Sequence, residues 1–503
     1  MSRPPTYWLT RFLILRLLGF VYGVAFLCAA RQIVPLIGSH GLLPLRLYLH
    51  RVEAHFGGPL EGFLQFPSLF WIDSSDRSLL ILAWIGFGLS LIVLAGYANA
   101  LLMALLWAIY MSFVHVGQDW YGYGWEIQLL ETGFLGIFLC PLLDARPFPR
   151  RPPPAPVLVL FRWLIFRIML GAGLIKLRGD PCWRDLTCLE HHYETQPIPN
   201  PLSRTLHFMP PWFHKSGVLF NHLAELVAPW FAFGPRLARH VAGAILLSFQ
   251  IFLILSGNLS FLNYLTIVPI LACFDDQLLE RILPRRLVAR ASRARAEAVP
   301  SRLQAGVAIG LAVTVGALSL YPVANLLSGR QAMNASFNRL ELVNTYGAFG
   351  SVGKVRPEII FEGTSDAAPD ESARWREYEF VCKPGDPLRR PCLIAPYQPR
   401  IDWQIWFAAM SSPLQYPWTL HLIAKLLRND PAALALLDGN PFPDAPPRYI
   451  RAVLYRYQFA PPGNPRHAWW DRERIGIWIP PLAADDPRLA AFLASQGWRV
   501  GSP

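Results

Sequence analysis

Long apolar runs separated by short polar loops fill the first two thirds of the chain. A helix that crosses a bilayer needs about 20 mainly apolar residues. By this rule the chain has candidate spans at 9–30, 79–97, 99–116, 126–143, 157–177, 217–234, 241–257, 259–274 and 303–327. The pattern predicts a multi-pass α-helical bundle with about nine transmembrane helices, the first of which serves as an uncleaved signal anchor.

The segment 31–78 interrupts this pattern. It places aromatic residues such as Phe56, Phe63 and Trp71 among Gly and Pro. Such a mixture is typical of a segment that lies at the membrane surface.

Beyond Leu327 the chain is rich in Pro, Trp, Tyr and charged residues. Apolar residues alternate around Tyr378 and along 475–479, and 449–459 is a long β-prone run, which together indicate strands. Helices are predicted at 420–427 and 431–437, the second capped by Asp430. We expect a polytopic membrane domain over 1–327 and a mostly β soluble domain over 328–503.

Composition agrees with a membrane protein. The 503 residues are 53% hydrophobic and 16% charged, and the mean hydropathy is +0.30. The net charge of +12 comes from arginines beside apolar runs, which indicates contact with lipid headgroups and an orientation signal. No basic stripe with interleaved aromatic residues is present, so we expect no nucleic-acid partner.

The arginine-rich loops predict the orientation of the bundle. The loops lie around Arg146–Arg151, Arg236–Arg239 and Arg281–Arg302. Nine crossings with a cytoplasmic N-terminus place all three in the cytoplasm. The loop 179–216 and everything after Ser328 are then extracytoplasmic.

Seven cysteines divide into two groups. Cys28, Cys140 and Cys273 lie in apolar runs, where buried free thiols are expected. Two close pairs lie in loops on the predicted extracytoplasmic side, and they predict two local disulfides: Cys182 with Cys188, and Cys382 with Cys392. The Cys and His spacings do not match a metal site, so no metal or cofactor is expected.

The loop that follows the fifth span concentrates polar groups. Lys176 ends that span, and Asp180, His191 and His192 follow it. A desolvated lysine can serve as a general base, and Asp180 and the histidines would then complete a catalytic pocket. The alternative is a lysine that anchors the helix end among lipid headgroups.

Ionisable residues within the spans predict ion pairs. Glu126 and Glu131 lie in the fourth span, and Arg162 and Arg167 in the fifth could be their partners. We favour a structural network over a proton relay. His222 and Glu225 share one face of the sixth span, but no third metal ligand is evident.

The region after residue 328 holds clusters of large aromatic residues. They are Trp403, Trp406, Phe407, Trp469 and Trp470. They form either a buried core or an exposed surface that binds a client polypeptide, because such residues dominate interface hot spots.

Several motifs resemble those of one known family. They are GAGLIKLRGDPCW from Gly171, WEIQLLETG from Trp125, FNHLAEL from Phe220, NTYGAFG from Asn344 and PRIDWQIWF from Pro399. Together they resemble the lipase maturation factor family, membrane proteins that help secreted lipases to fold in the endoplasmic reticulum. The segment around Lys176 also resembles that around the catalytic lysine of vitamin K-dependent γ-glutamyl carboxylases, although the Gly179–Cys182 insertion changes the spacing.

The resemblance implies a non-enzymatic folding factor whose C-terminal domain binds secreted, lipase-like clients. The membrane would be that of the endoplasmic reticulum in a eukaryote, or the inner or plasma membrane with a periplasmic C-terminal domain in a bacterium. The alternative is a membrane enzyme that uses Lys176 as base on a lipid, quinone-like or peptide substrate. The oligomeric state stays open.

Overall fold

The computed structural model describes residues 5–498 as a helical bundle joined to a β-sheet region. The helices of the first two thirds are α1 (Trp8–Ile37), α2 (Leu45–Phe56), α3 (Pro59–Gln65), α4 (Asp76–Ala95), α5 (Ala100–Val116), α6 (Gly124–Leu139), α7 (Ala155–Arg178), α8 (Leu189–Thr195), α9 (Pro201–His207), α10 (Pro211–His222), α11 (Arg236–Ser256), α12 (Leu262–Ile270), α13 (Asp276–Leu279), α14 (Arg285–Ala296), α15 (Arg302–Leu318) and α16 (Leu320–Leu327). The remaining elements are β1 (Ala335–Ser336), β2 (Asn344–Thr345), β3 (Arg356–Thr364), β4 (Arg376–Tyr378), α17 (Arg400–Ala409), α18 (Trp418–Leu426), α19 (Pro431–Leu434), β5 (Tyr449–Phe459), β6 (Trp470–Ala483) and α20 (Pro487–Ser495).

Five helical stretches within the described residues are long and apolar enough to cross a membrane. They are α1, α4, α7, α11 and the continuous stretch from α15 to α16. Helices α5 and α12 are apolar but shorter. The helical membrane region is thus confirmed, whereas the count of nine crossings stays a prediction.

Helix α1 connects the two ends of the bundle. Its 30 residues extend about 45 Å. At its start, the Trp8 backbone N–H donates to Asp276 at 3.0 Å. Near its end, Gln32 donates to the carbonyl of Gln398 at 2.8 Å. The end of the bundle where α1 finishes therefore contacts the C-terminal region.

The arginine-rich loops meet at the end where α1 begins. Arg11 of α1 donates to the Arg151 carbonyl at 2.8 Å. Arg151 in turn donates to the carbonyl of Val299 at 2.9 Å, and Arg150 pairs with Glu297 at 2.9 Å. We call this the arginine end, and we call the opposite end, which carries the C-terminal sheet, the sheet end.

The C-terminal region is built on a four-stranded antiparallel sheet with the order β4-β3-β5-β6. Strand β3 is buried almost throughout, because β4 and β5 flank it and α17 packs against it. The predicted sheet is confirmed. The C-terminal region also contains α17, α18 and α20, however, so it has less β-structure than the alternating pattern indicated.

Residues 328–353 pack into the bundle before the sheet begins. Arg178 donates to Gln331 at 2.7 Å, and Gln331 donates to the Gly171 carbonyl at 2.9 Å. A Cβ at Gly171 would lie 2.3 Å from the Tyr346 carbonyl oxygen. The glycine therefore permits the close approach of this segment to α7.

Three predicted boundaries are wrong. The first helix continues to Ile37, so it includes part of the predicted surface segment. The fourth span ends at Leu139 because Pro141 follows. The span 217–234 is broken into α10, a π-helical turn over 223–227 and a 3-10 turn over 228–233.

Both predicted disulfides are confirmed. Cys182 and Cys188 are bonded with Cα atoms 4.8 Å apart, and Cys382 and Cys392 are bonded with Cα atoms 5.6 Å apart. The other three cysteines are free and buried, as their apolar surroundings predicted.

Candidate functional site

Lys176 lies at the sheet end of α7, buried in an ion pair. Its ammonium donates to Glu225 Oε1 at 2.5 Å and to Asn221 Oδ1 at 2.9 Å. The ammonium also lies 4.9 Å from the centre of the Trp183 ring. Lys176 and Glu225 are only 4% and 3% exposed. Each of these contacts favours the charged ammonium. The side chain is enclosed by protein and does not reach lipid headgroups, whereas its role as a catalytic base stays a prediction.

The π-helical turn positions Glu225. Residues 223–227 widen the helix between α10 and the 3-10 turn that contains Pro229. Gly173 of α7 lies beneath this turn, where an added Cβ would meet the Leu226 side chain at 2.6 Å. Single π turns occur frequently at functional sites. Here the turn directs the carboxylate towards the end of α7.

Asp180 does not belong to this cluster. Its side chain accepts the backbone N–H of Cys182 at 3.0 Å and that of Val352 at 3.4 Å. It caps the turn that holds the first disulfide and ties that turn to the segment 346–353. These contacts give Asp180 a structural role, and its assistance to Lys176 in catalysis stays a prediction.

The two adjacent histidines differ in surroundings. His191 is partly buried, whereas His192 is 7% exposed. The His192 imidazole makes no hydrogen bond to another described residue, and its ring contacts that of Phe349 edge-on at 4.8 Å. Burial, together with the nearby charge of Lys176, lowers the pKa of His192 to about 4. His192 is therefore neutral at neutral pH.

Both carboxylates of the fourth span form ion pairs, but only one of the two arginines predicted as partners takes part. Glu131 pairs with Arg167 and also accepts from the Tyr346 hydroxyl at 2.7 Å. Glu126 pairs instead with Arg400 of α17 at 2.8 Å. Arg162 donates to the Ala272 carbonyl at 2.9 Å, so its predicted role as partner of a membrane carboxylate is wrong.

The aromatic residues proposed for client binding are largely buried. Trp403 is 4% exposed and packs edge-on against Trp125, with ring centres 4.9 Å apart. Trp470 is 1% exposed. Trp469 is partly buried, and the guanidinium carbon of Arg204 lies 4.8 Å from the centre of its ring. Trp403 and Trp470 therefore belong to the buried core, whereas client binding by Trp406, Phe407 and Trp469 stays a prediction.

Trp406 and Phe407 are partly buried beside Trp403 on α17. The Trp406 indole donates to the Thr195 carbonyl at 3.0 Å, which ties α17 to the end of α8. All three aromatic residues of α17 face the same internal space.

That space is a cavity of about 460 Å³ between the bundle and α17. Side chains from α6, α7, α11 and α12 line one side, and the segment 346–353 and α17 line the other. Glu225 and His192 border it, which places the Lys176 ion pair beside the cavity. Met333 and Met410, both exposed, also line it. A volume of this size is typical of a small-molecule site.

A cluster of amides and one hydroxyl lines the bundle side of the cavity. Gln128 donates to Thr266 at 3.1 Å, and Asn263 donates to Gln250 at 2.9 Å. All four side chains are at least 97% buried. Polar residues at this depth are costly and often functional in membrane proteins.

Among the described residues, no group of three or more His, Cys, Asp or Glu side chains is suited to hold a metal ion. His222 makes a 3.0 Å hydrogen bond with the Trp183 carbonyl, and Glu225 pairs with Lys176. The metal alternative for these two residues is therefore unsupported by their contacts.

Several important residues had no strong signal in the sequence. Arg400 lies 274 positions from Glu126, and no periodicity links the two. Asn221 and Glu225 belong to the FNHLAEL motif, but the spacing of His222 and Glu225 drew attention to a metal site instead of a partner for Lys176. Gln128 and Asn263 lie in apolar runs. Their polarity within such runs was the signal that could have indicated a buried polar cluster.

The architecture defines a class of membrane protein. A helical bundle with several membrane-spanning helices carries a β-sheet region at one end, and the two enclose a cavity of mixed polarity beside a buried Lys–Glu pair. Comparison with known sequences identifies the family to which the chain belongs.

A sequence model described as the lipase maturation factor transmembrane domain matches residues 9–281. Another, described as the lipase maturation factor C-terminal domain, matches residues 342–480. The chain belongs to the lipase maturation factor family.

Relatives of two kinds match nearly the whole chain. It is 51% identical to Lipase maturation factor 1 of Bos taurus, over 100% of this chain and 93% of the relative. It is 49% identical to Lipase maturation factor 1 of Homo sapiens, over 99% of this chain and 92% of the relative. It is 28% identical to Lipase maturation factor 2 of Rattus norvegicus, over 96% of this chain and 84% of the relative. No solved structure matches the chain.

Proposed function

We propose that the protein is a membrane-embedded maturation factor that assists the folding of secreted, lipase-like clients. The observation that carries this proposal is the similarity along the full chain, at 51% identity, to a protein named for lipase maturation. The shared length includes both the bundle and the sheet region, so the proposal concerns the whole molecule.

The C-terminal region is the proposed client-binding part. Because Trp403 and Trp470 are buried, the contact surface must use other residues. The large apolar residues that this region exposes include Leu388, Leu393, Leu414, Ile475 and Ile477. Ile475 and Ile477 lie on β6, one of the two edge strands of the sheet. An edge strand with exposed apolar side chains can pair with an extended segment of an unfolded client.

The proposed orientation places the sheet end in an oxidising compartment. Both disulfides lie in the sheet-end loops, and disulfides persist in the lumen of the endoplasmic reticulum or in the periplasm. The arginine loops meet at the opposite end, which the positive-inside rule assigns to the cytoplasm. Nine crossings satisfy both conditions: the five long stretches, the shorter α5, α6 and α12, and the broken segment 217–234.

Catalysis by Lys176 is not part of the proposed function. A base must give up its proton at working pH, whereas the contacts with Glu225 and Asn221 hold the ammonium. The pair instead fixes the end of α7 to the π-helical turn. The function proposed is therefore binding and folding assistance without chemistry on the client.

A secretion assay tests this proposal. The full chain is supplied to cells that lack their own lipase maturation factor, and secreted lipase activity is measured per amount of lipase antigen. We expect the chain to raise this specific activity. An unchanged specific activity at normal expression and membrane insertion of the chain would refute the maturation role.

Two variants separate client binding from general stability. I475E/I477E places two charges on the exposed face of β6 and should lower lipase specific activity several-fold. I282E changes an exposed isoleucine at the arginine end, 69% exposed, and should leave the activity unchanged. Equal effects of the two variants would contradict client binding at β6.

A further inference from the structure

We infer that the cavity between the bundle and α17 binds a neutral, hydroxyl-bearing lipid with a single acyl chain, of the monoacylglycerol class. The inference does not depend on the identity of the client, because it rests on the shape, polarity and charge of the cavity alone. It assigns a ligand site to a part of the molecule for which client binding gives no role.

The first argument is electrical neutrality. The two charged groups beside the cavity, Lys176 and Glu225, neutralise each other at 2.5 Å. His192 borders the cavity without a hydrogen-bond partner among the described residues and is neutral at neutral pH. A fatty acid anion or a phospholipid headgroup would enter without a counter-charge, and burying an unpaired charge is costly. A neutral ligand avoids that cost.

The second argument is the hydrogen-bonding capacity of the amide cluster. The side-chain carbonyl oxygens of Gln128 and Asn263 accept no hydrogen bond from any described residue, although both side chains are at least 97% buried. Each amide also offers donor capacity. A hydroxyl group both donates and accepts, so an alcohol or glycerol group can satisfy donors and acceptors together.

The third argument is the apolar remainder of the cavity. Phe249, Leu253 and Leu262 from the bundle face Trp403, Trp406 and Phe407 from α17. Aliphatic and aromatic walls of this kind favour burial of an acyl chain. The volume of about 460 Å³ lies within the range for small-molecule sites and is too small for a folded client.

The fourth argument is access from the bilayer. Gln250 and Leu253 lie on α11, and Met169 and Ala172 lie on α7; both helices are long and apolar enough to span the membrane. The cavity is thus built partly from membrane helices at the sheet end of the bundle. A lipid reaches such a site without first dissolving in water, whereas a water-soluble ligand has no comparable reservoir.

Photolabelling of the purified full-length protein in phosphatidylcholine nanodiscs tests the inference without any lipase. The probe is a monoacylglycerol with a diazirine in its C16 acyl chain, and labelled peptides are mapped by mass spectrometry. We expect labels on residues 249–266 and 403–410. Excess unlabelled 1-palmitoylglycerol should reduce labelling at least fivefold, whereas palmitate and lysophosphatidylcholine should not.

Two variants connect the labelling with the cavity. A172W fills the cavity from α7 and should reduce labelling of 403–410 at least fivefold. V313W adds the same side chain on α15, where Val313 is 68% exposed, and should leave it unchanged. If A172W does not fold, Q128L/N263L, which removes the hydrogen-bonding groups at similar volume, should abolish the preference for 1-palmitoylglycerol over palmitate.

Three results would overturn the inference. The first is labelling spread evenly over lipid-facing helices such as α4. The second is competition by palmitate equal to that by 1-palmitoylglycerol. The third is displacement of the bound probe by an apolar client peptide but not by the unlabelled lipid, which would show that the cavity is a peptide site. Lipase maturation could persist in all three cases, so failure here is distinct from failure of the maturation role.

Discussion

The contact between Lys176 and Glu225 is a buried ion pair beside the cavity. Two opposite charges within the protein interior stabilise the fold only when both are present, because each alone leaves an unpaired buried charge. Asn221 adds a hydrogen bond to each partner, at 2.9 Å to Lys176 and 3.0 Å to Glu225. The three side chains therefore act as one unit that holds α7 against the π-helical turn.

The Lys–Glu pair gives the first prediction. K176M should lower the free energy of unfolding by about 3–5 kcal/mol, the usual cost of leaving one buried charge without its partner. The double variant K176M/E225M should recover most of this loss, because it removes both charges. Thermal unfolding in detergent measures both. A double variant as unstable as K176M would show that the loss comes from packing and not from charge.

The low pKa of His192 gives the second prediction. The value of about 4 in the fold lies below the usual 6.5 of an unfolded chain. On acidification the unfolded state therefore takes up the proton first, and stability decreases as the pH falls from about 6.5 to about 4. The loss due to this residue is at most about 3 kcal/mol. Unfolding temperatures between pH 7.5 and 4.5 measure the slope.

The variant H192Q should flatten that slope, since glutamine does not titrate. H50Q is the matched control, because the His50 side chain is 66% exposed. A slope that H50Q reduces as much as H192Q would contradict the assignment. Burial also lowers the pKa of His207 to about 4, so part of the slope should persist in H192Q.

Individual residues were predicted from the sequence where local pattern carried the information. The two cysteines of each pair are close in sequence, and both pairs lie on the same predicted side of the membrane, so their bonding could be predicted. The burial of Trp403 and Trp470 could not, because a tryptophan in a core and one on a binding surface have the same composition signal. Lys176 was noticed for its position, but its partner lies 49 residues away.

At the scale of elements, close approach of backbone to backbone fixes where α7 can pack. Gly171 and Gly179 lie at two points where the segment 346–350 touches this helix. A Cβ at Gly179 would lie 2.2 Å from the Gly350 carbonyl oxygen. Small residues at these positions let the segment lie directly on the helix surface.

This contact gives the third prediction. G171A should lower the free energy of unfolding by about 1–3 kcal/mol, because the added methyl group forces apart two backbones in a well-packed site. G310A is the matched control on α15, where an added Cβ meets no atom within 4 Å. It should stabilise the helix by about 0.5–1 kcal/mol. Thermal unfolding in detergent distinguishes the two signs.

The elements themselves followed the apolar periodicity closely, and most errors lay at their ends. Helix α1 was predicted too short because Arg31 and Gln32 ended the apolar run, although the helix continues to Ile37. The span 217–234 was predicted as one helix because its composition is apolar. Hydropathy does not distinguish a π-helical turn from an α-helix, because both contain the same apolar residues.

At the scale of the whole molecule, the bundle and the C-terminal region depend on each other. Arg400 of α17 reaches Glu126 of α6 at 2.8 Å, and both are fully buried. Glu131 accepts the backbone N–H of Asn344 at 3.0 Å. The bundle therefore contains two acidic groups whose partners come partly from residues beyond 328.

Removal of Arg400 gives the fourth prediction. R400M should lower the free energy of unfolding by about 3–5 kcal/mol, because Glu126 is left buried without its cation. R374M removes an arginine whose side chain is 90% exposed, and the change should be below about 1 kcal/mol. Thermal unfolding and membrane yield measure both. Equal stability of the two variants would show that Glu126 is satisfied without Arg400.

The overall division into an apolar part and a β-containing part could be predicted because it follows composition. The way the two parts join could not. In the sequence, Arg400 resembles any charged residue at the start of an amphipathic helix. The cavity forms only where α6, α7, α11, α12 and α17 meet. Such a site depends on long-range packing, which a pattern within a short window does not contain.

The distance between Glu126 and Arg400 along the chain also has a consequence for synthesis. The arginine is translated 274 residues after the glutamate. At about 5–20 residues per second, the acidic group waits on the order of tens of seconds for its cation. During that interval the newborn bundle holds an unmatched carboxylate, so its final assembly awaits the arrival of α17.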